Sequence, residues 1–384
     1  MTSGVLTTSF PRWPNDFAGC FVEDDVRARA ARGASLEVIA AGPAGTSAGP
    51  PVTSTARTTS ARPDLLPHIR VTRLQLPSGA QRGGPAPLFF GQGAPEALEA
   101  SGAAGWVQAA LFWAALCHEV RARAPRWSDI VAHWLVPSAL AARVAAPWLP
   151  LTAYAHSGDV ALLERLPGGA SVARLLARET RELVFASADL HRRFARLCGF
   201  AAGSVGAAAR QDPRRAARNH RRAVTGDAQS RHLNLLSVGR LVPIKGFDIL
   251  LRALARLGAG REHAAGVGGR NTFRLVILGD GPERTRLQDT ARRLDVDLVM
   301  PGTVGRDEVA RWMSTADLYV QPSRRLKNGR TEGLPVATLE ALSAGLPAIV
   351  SRTGGLAELA ESQGVTLFES EDVTGLAFQL ARFS

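Results

Sequence analysis

The chain has 384 residues, 46% of them hydrophobic, with a mean hydropathy near zero, which is enough apolar material for two sizeable cores. Its three cysteines, Cys20, Cys117 and Cys198, form no close pair, which excludes a CxxC redox motif or a cysteine metal site and fits a reduced, cytoplasmic setting. The net charge of +12 rests on 44 arginines and only two lysines, Lys245 and Lys327; a skew of that kind reflects compositional bias and carries little weight as a nucleic-acid signal.

The opening "MTSGVLTTSFPRWPNDF" has neither a basic leader with an apolar core nor a cleavage signature, so secretion is not expected. From there short β-type runs alternate with helical stretches. In the first half the runs are "VLTTS", "LEVIAAG", "IRVTRLQL", "DIVAHWLV", "LTAYAH" and "ELVFAS". Glu23, Asp24 and Asp25 fall on the first predicted helix and read as a solvated face. The tract from Gly42 to Asp64 has loop composition throughout and is either a substrate-binding loop after a strand or an insertion. Ala100 to Cys117 runs uncharged for 18 residues; with Ser101, Gln108 and two glycines inside, it predicts a buried helix and not a membrane span.

A stretch poor in large apolar residues, Ala201 to His232, carries six arginines between Arg210 and Arg222 and reads as a solvated linker. Beyond it the alternation resumes with "LNLLSVG", "FRLVILGD", "DLVMPG", "LYVQPS", "PAIVS" and "VTLFE". Alternation of this kind means α/β architecture with parallel sheets, here twice over. The expected boundaries are a domain over 1–210, a linker over 211–232 and a second domain over 233–384. Charge is uneven between the halves: residues 1–225 hold 26 basic against 16 acidic side chains, so an anionic partner is expected on the N-terminal half.

Two constellations carry chemistry. In "TEGLPVATLEALSAG", Glu332 stands before Gly333-Leu334-Pro335 and Glu340 lies inside the helix that follows. Gly333 lets a ligand approach the backbone, Pro335 suits the first helical turn, and the amides and dipole of that turn suit a phosphate. Two carboxylates flanking an anion site are acceptors for hydroxyls, the arrangement a sugar nucleotide needs. In "SVGRLVPIKGFDILLRAL" the strand ends at Gly239, so Arg240 and Lys245 share one strand-to-helix loop within reach of an anion.

Together with "LVILGDGPERTRLQ" and "PGTVGRDEVARWMSTADLYVQPS", these stretches resemble the C-terminal domain of retaining GT-B glycosyltransferases, family 4 of the sequence classification. "TTSFPRWPNDFAGCFVEDDVRARAARG" resembles that family's glycine-loop region, and "AHSGDV" its histidine loop, with the small residues in an unusual order after His156. The resemblance implies two Rossmann-like domains facing each other across a cleft. It implies that Glu332 contacts the donor sugar, Glu340 the ribose, and Arg240 and Lys245 the departing diphosphate. The Gly333 and Leu334 amides would cradle that diphosphate, with Gly239 and Gly19 allowing close backbone approach. His156 would touch the transferred sugar, and His133, at a strand end, would line the acceptor side.

The implied reaction moves a sugar from a nucleotide diphosphate to an acceptor hydroxyl through an oxocarbenium-like state, with no metal or redox cofactor. The expected partners are a nucleotide-sugar donor and a glycan or lipid-linked acceptor, with peripheral contact to an anionic membrane and no nucleic acid. A sugar-nucleotide epimerase or hydrolase on the same fold, and a non-catalytic binding module, are the alternatives. The family usually continues into a helix that crosses back to the N-terminal domain, whereas this sequence stops at "LAFQLARFS". Asp295-Val296-Asp297 matches a metal motif of another glycosyltransferase fold but, at a helix-to-strand junction, reads as structural.

Overall fold

The computed structural model describes residues 1–11, 16, 19–42, 57–59, 65, 67–74, 94–206, 232–262, 272–360, 362 and 364–383. The chain divides into two compact units, Met1–Gly206 and Ala207–Ser384. Of the expected linker only His232 falls within the described residues.

In the first unit the elements run β1 (Thr2–Thr7), α1 (Cys20–Ala31), β2 (Ser35–Ala41), β3 (Arg57–Thr59), β4 (Ile69–Leu74), α2 (Ala94–Arg123), β5 (Asp129–His133), α3 (Leu140–Ala145), β6 (Leu151–Ala155), α4 (Ser157–Arg165), α5 (Gly169–Glu179), β7 (Glu182–Phe185), α6 (Ala188–Cys198) and β8 (Ser204–Val205). Its sheet has the order β3-β4-β2-β1-β5-β6-β7-β8, parallel except where β3 pairs antiparallel with β4. The second unit runs β9 (His232–Val238), α7 (Phe247–Glu262), β10 (Thr272–Leu278), α8 (Arg284–Arg293), β11 (Leu298–Gly302), α9 (Arg306–Thr315), β12 (Leu318–Gln321), α10 (Val336–Ser343), β13 (Ala348–Arg352), β14 (Val365–Glu369) and α11 (Val373–Ala381). Its parallel sheet has the order β11-β10-β9-β12-β13-β14.

Both sheets are therefore doubly wound. Each starts in the middle, works outward to one edge, then returns to build the other side, which leaves a switch point between β1 and β5 and another between β9 and β12. The near-continuous apolar runs of the strands follow from this, because period-two alternation feeds a separate core on each face. In β10, Leu275 and Ile277 enter one core with α7, α8 and α11, while Val276 and Leu278 enter another with α9 and α10. In the first unit α1 covers one face and the later helices the other.

Three sequence expectations change. Arg57–Thr59, inside the tract read as loop throughout, is a short edge strand whose backbone pairs antiparallel with β4, extending its ladder by one neighbour. The strand at "DIVAHWLV" ends at His133, because Trp134 takes φ 73° and turns the chain out of the sheet. The uncharged run Ala100 to Cys117 lies in α2, which is interrupted at Gly102 (φ 53°) and buries Phe112 and Leu116 while Trp106, Val107 and Leu111 stay exposed. Among the described residues no helix is long and apolar enough to cross a membrane.

The joint between α3 and α5 hangs on one buried cation. The Arg143 guanidinium donates to the carbonyls of Leu149 (2.5 Å), Pro147 (3.1 Å), Glu179 (3.1 Å) and Ala146 (3.4 Å). Burial lowers its pKa, and the nearby Glu179 charge partly opposes the shift. Arg143→Met keeps most of the stem but strands these carbonyls; the expected loss is about 3 kcal/mol of the N-terminal unit's stability in urea unfolding. The exposed Arg126→Met is the control and should stay within about 0.5 kcal/mol of the parent. Equal midpoints for the two variants would sink this account.

Candidate active site

The second unit's switch point brings two predicted residues into direct contact. After β9 the chain turns at Gly239, passes Arg240 (half-buried), and makes a single tight turn over Pro243–Lys245 before Gly246 leads into α7. Lys245, 9% exposed, places its Nζ 2.7 Å from Oε1 of Glu332, which arrives from the loop after β12. Gly239 makes room for this: a Cβ there would lie 2.8 Å from Lys245 Cε. Gly354, at φ 51°, serves Glu332 likewise, since a Cβ would come within 2.1 Å of the Glu332 carbonyl oxygen. That carbonyl accepts from the Gly355 amide at 3.3 Å.

The other carboxylate oxygen of Glu332 is also committed. Its Oε2 accepts from Ser323 Oγ at 2.5 Å and, at the long limit of 3.5 Å, from Gln321 Nε2. Neither Gln321 nor Ser323 was singled out from the sequence. The signal was present, however, because "LYVQPS" puts polar side chains at alternate positions of a strand that is otherwise buried and apolar.

Glu340, in the second turn of α10, is part-exposed and lies 3.5 Å from Arg306 Nη2, a partner that sequence spacing did not suggest. Gly333 and Leu334 lead into α10, whose N-cap is Pro335 (φ −63°, ψ 125°), one position earlier than the first-turn role expected for it. Asp295 and Asp297 are exposed at the start of β11, the end of the sheet opposite to Glu332. Asp297 there lies 4.0 Å from Arg274 Nε. Among the described residues no group of three or more His, Cys, Asp or Glu side chains could hold a metal ion.

In the first unit the strand ends gather a second set. Gly19 caps α1 with φ 74°, and its Cα sits so close to the chain after β1 that a Cβ would meet the Ser9 carbonyl oxygen at 2.4 Å. His133 ends β5 directly opposite Tyr154 of β6, and His156 follows Tyr154 by two residues on the same face. Sheet register thus stacks three rings: His133 on Tyr154 at 4.9 Å and on His156 at 5.9 Å, with Phe21 and Trp134 closing around His156 at 5.0 and 4.9 Å.

His133 Nε2 lies 3.3 Å from Asp25 Oδ2, and Asp25 also takes Arg29 Nε at 2.8 Å. Asp25 is consequently not on a solvated face as its acidic neighbours suggested; of the three, Asp24 is the exposed one. His133 and Arg29 hold the Asp25 carboxyl below its usual range despite burial, which acts the other way.

His156 is the N-cap of α4. Its ring accepts from the Asp159 amide and its own amide donates to Asp159 Oδ1 at 3.0 Å, a reciprocal capping box. Its buried Nε2 has no partner, so the accepting nitrogen is Nδ1, and a neutral ring then carries its proton on Nε2. Burial, with His133 adding to it, pushes this imidazole down to about 3. Burial pushes the Asp159 carboxyl up to about 7, against amide donors from Leu135 (2.6 Å), Val160 (2.8 Å) and His156 (3.0 Å) that favour its charged form.

Comparison with known proteins bears first on the fold. The chain matches an α,α-trehalose-phosphate synthase (UDP-forming) from Burkholderia xenovorans with TM-score 0.67 at 17% identity, over 99% of this chain and 92% of that one. It matches sucrose-phosphate synthase from Thermosynechococcus elongatus with TM-score 0.63 at 16% identity, over 100% and 89%. Two Rossmann-like parallel-sheet units with these neighbours make the fold GT-B.

Residues 232–384, which hold every C-terminal residue discussed above, match the family model for glycosyl transferases group 1. Among curated proteins, WcaL of Salmonella typhimurium, whose name assigns it to colanic acid biosynthesis as a glycosyltransferase, is 34% identical over 155 residues, 40% of this chain and 36% of that protein. A GDP-mannose-dependent α-(1-6)-phosphatidylinositol monomannoside mannosyltransferase of Mycobacterium tuberculosis is 32% identical over 203 residues, 50% of this chain and 49% of that protein. The matches thus span between about a third and a half of these relatives' own length.

The histidine carries a pH prediction. An unfolded imidazole takes up a proton near pH ~6.5 and the folded His156 ring only near 3, so its contribution to stability is full above ~6.5 and is lost as pH falls toward 3. Asp159 has the opposite sign: its contribution is full below about 4 and is lost as pH rises through 7. In ¹⁵N spectra of histidine-labelled protein, the His156 ring should keep neutral-imidazole shifts from about pH 8 to about pH 5, with His156→Gln supplying the assignment. A titration midpoint near ~6.5 would refute the buried, neutral ring.

Proposed function

We propose that the chain is a retaining glycosyltransferase that moves a sugar from a nucleotide-diphosphate donor to an acceptor hydroxyl in bacterial polysaccharide or glycolipid assembly. The observation that carries this reading is the Lys245–Glu332 pair, held 2.7 Å apart at the switch point of the second sheet. It lies inside the segment that matches the glycosyl transferases group 1 model. Ligands of doubly wound sheets bind outside the carboxyl ends of the strands at that point. The names of similar proteins, which include colanic acid and amylovoran biosynthesis glycosyltransferases, support the assignment to polysaccharide assembly.

On this reading the leaving diphosphate meets the ammonium of Lys245 and the guanidinium of Arg240, with the Gly333 and Leu334 amides beside it. Developing negative charge on the departing oxygen is where fixed cations lower the barrier most. Transfer with retention proceeds on one face of the sugar: the bond from the anomeric carbon to the diphosphate breaks, the acceptor oxygen bonds to that carbon, and the acceptor's proton passes to the departing phosphate oxygen. Glu332 then accepts from a sugar hydroxyl and Glu340 from the ribose. His133 belongs to the acceptor side, and the donor needs no metal or redox cofactor. The excess of basic residues in the N-terminal half suits an anionic or lipid-linked acceptor at a membrane surface.

The test is calorimetric titration with UDP, GDP and their sugar conjugates, followed by product analysis with and without acceptor. One diphosphate should bind, and Lys245→Ala should weaken it about tenfold or more, since the substitution removes a cation and leaves the Glu332 carboxylate facing the ligand alone. Turnover without acceptor would favour a hydrolase or epimerase. Binding that is indifferent to Lys245→Ala would overturn the site.

A further inference from the structure

β12 carries a polar line through the core. Tyr319, Gln321 and Ser323 alternate along the strand and just beyond it, and none of the three is exposed. Val320, between them, packs into the opposite core. Three buried polar side chains in a row destabilise a core unless their donors and acceptors are used. Here they are used in one direction. Tyr319 OH donates to Gln321 Oε1 at 2.8 Å, Gln321 Nε2 donates to Ser323 Oγ at 2.9 Å, and Ser323 Oγ donates to Glu332 Oε2 at 2.5 Å.

The direction is fixed by chemistry. A carboxylate is acceptor only, so the single serine hydrogen goes to Glu332; the serine oxygen then faces Gln321 as an acceptor, which orients the amide and leaves its oxygen for the tyrosine. Burial raises the pKa of the Tyr319 phenol, so it stays a donor. The serine is itself anchored, its carbonyl accepting from Ser351 Oγ at 2.5 Å. Apolar side chains of similar volume would fill the same space without these demands.

Resting on the function proposed above, we infer that Tyr319, Gln321 and Ser323 are positioning residues that hold the Glu332 carboxylate in one orientation, with Oε2 occupied from the core and Oε1 turned to Lys245. The terminal torsion of a glutamate is broad, and a carboxylate held by the ammonium alone would rotate or engage it with both oxygens. With Oε2 taken, the pair stands in its working geometry before a nucleotide sugar arrives, which removes reorganisation from the transfer step.

The experiment compares Ser323→Ala, Ser323→Thr and Gln321→Met with the parent full chain, measuring kcat, KM, the Kd of the nucleoside diphosphate, melting temperature and, by crystallography, the orientation of the Glu332 carboxylate. Ser323→Ala should lower kcat by about tenfold to a hundredfold while the diphosphate Kd changes less than about threefold. Ser323→Thr, which keeps the hydroxyl, should recover most of the rate. Loss of the hydroxyl donor should free the Glu332 carboxylate to turn about its terminal torsion, so that in a crystal structure of Ser323→Ala it no longer keeps the parent orientation with only Oε1 turned to Lys245. Gln321→Met cuts the line one link earlier and should give the same changes at smaller size; it decides the matter if Ser323→Ala does not fold.

A Glu332 carboxylate that keeps its parent orientation in Ser323→Ala would overturn the inference, and so would a rate within twofold of the parent's. A rate loss matched by equal losses of Kd and melting temperature, without rescue by threonine, would reduce the line to a structural role and also overturn it. If the parent binds no nucleotide and transfers no sugar, the functional reading fails, while the orientation of the Glu332 carboxylate in the variants still reports on the positioning.

Discussion

A lysine ammonium and a glutamate carboxylate 2.7 Å apart, both nearly out of water, form the contact around which the second unit's strand ends are arranged. Taking two charges out of solvent costs several kcal/mol per ion unless the geometry is close and the remaining hydrogen-bonding capacity is filled. Both conditions are met by neighbours whose presence would otherwise lack a reason. Gly239 lets the lysine stem pass, Gly354 makes room for the backbone of Glu332, and Ser323 fills the second carboxylate oxygen. The pair is neutral as a unit, so an anionic ligand arriving there meets a cation whose counter-charge is already held to one side.

The first unit uses a different device for a comparable problem. Its strand ends carry aromatic rings and imidazoles instead of an ion pair, and the parallel register of β5 and β6 aligns them face to face. Charge is present one layer away, where Asp25 bridges His133 and Arg29, and Arg29 in turn donates to the Tyr154 hydroxyl at 2.9 Å. Burial keeps His156 neutral, with one nitrogen committed to a helix cap. The two units thus present opposite chemistries at equivalent places in their sheets: a preformed charge pair in one, and an uncharged hydrogen-bonding ring in the other.

The strands were legible because fully buried parallel strands read as continuous apolar runs, and the two sheets follow from their alternation with helices. The place of Lys245 and Glu332 at strand ends was legible too, since Gly239 and the Gly333-Leu334-Pro335 turn punctuate the chain there. Their direct pairing was not, because nothing local relates residues that meet only once β9 and β12 lie side by side. Asp25 was misread for the same reason. Its partner His133 is 108 positions away, and a helical acidic run looks solvated until that partner is placed. The three-residue β3 escaped because an edge strand needs so little side-chain pattern. The line from Tyr319 to Ser323 was written in plain alternation, but a strand that is apolar on average conceals the polar residues on one of its faces.

The burial of Lys245 has a practical corollary. The chain has only two lysines, and Lys327 is exposed. Every other side-chain cation is a guanidinium, which amine-directed reagents leave untouched. Among the side chains of this sequence, amine acylation is therefore confined to one accessible lysine and one locked against a carboxylate. The slow fraction of that labelling becomes a clock for how often the Lys245–Glu332 contact opens, and any ligand that closes over the contact would register as a slower clock.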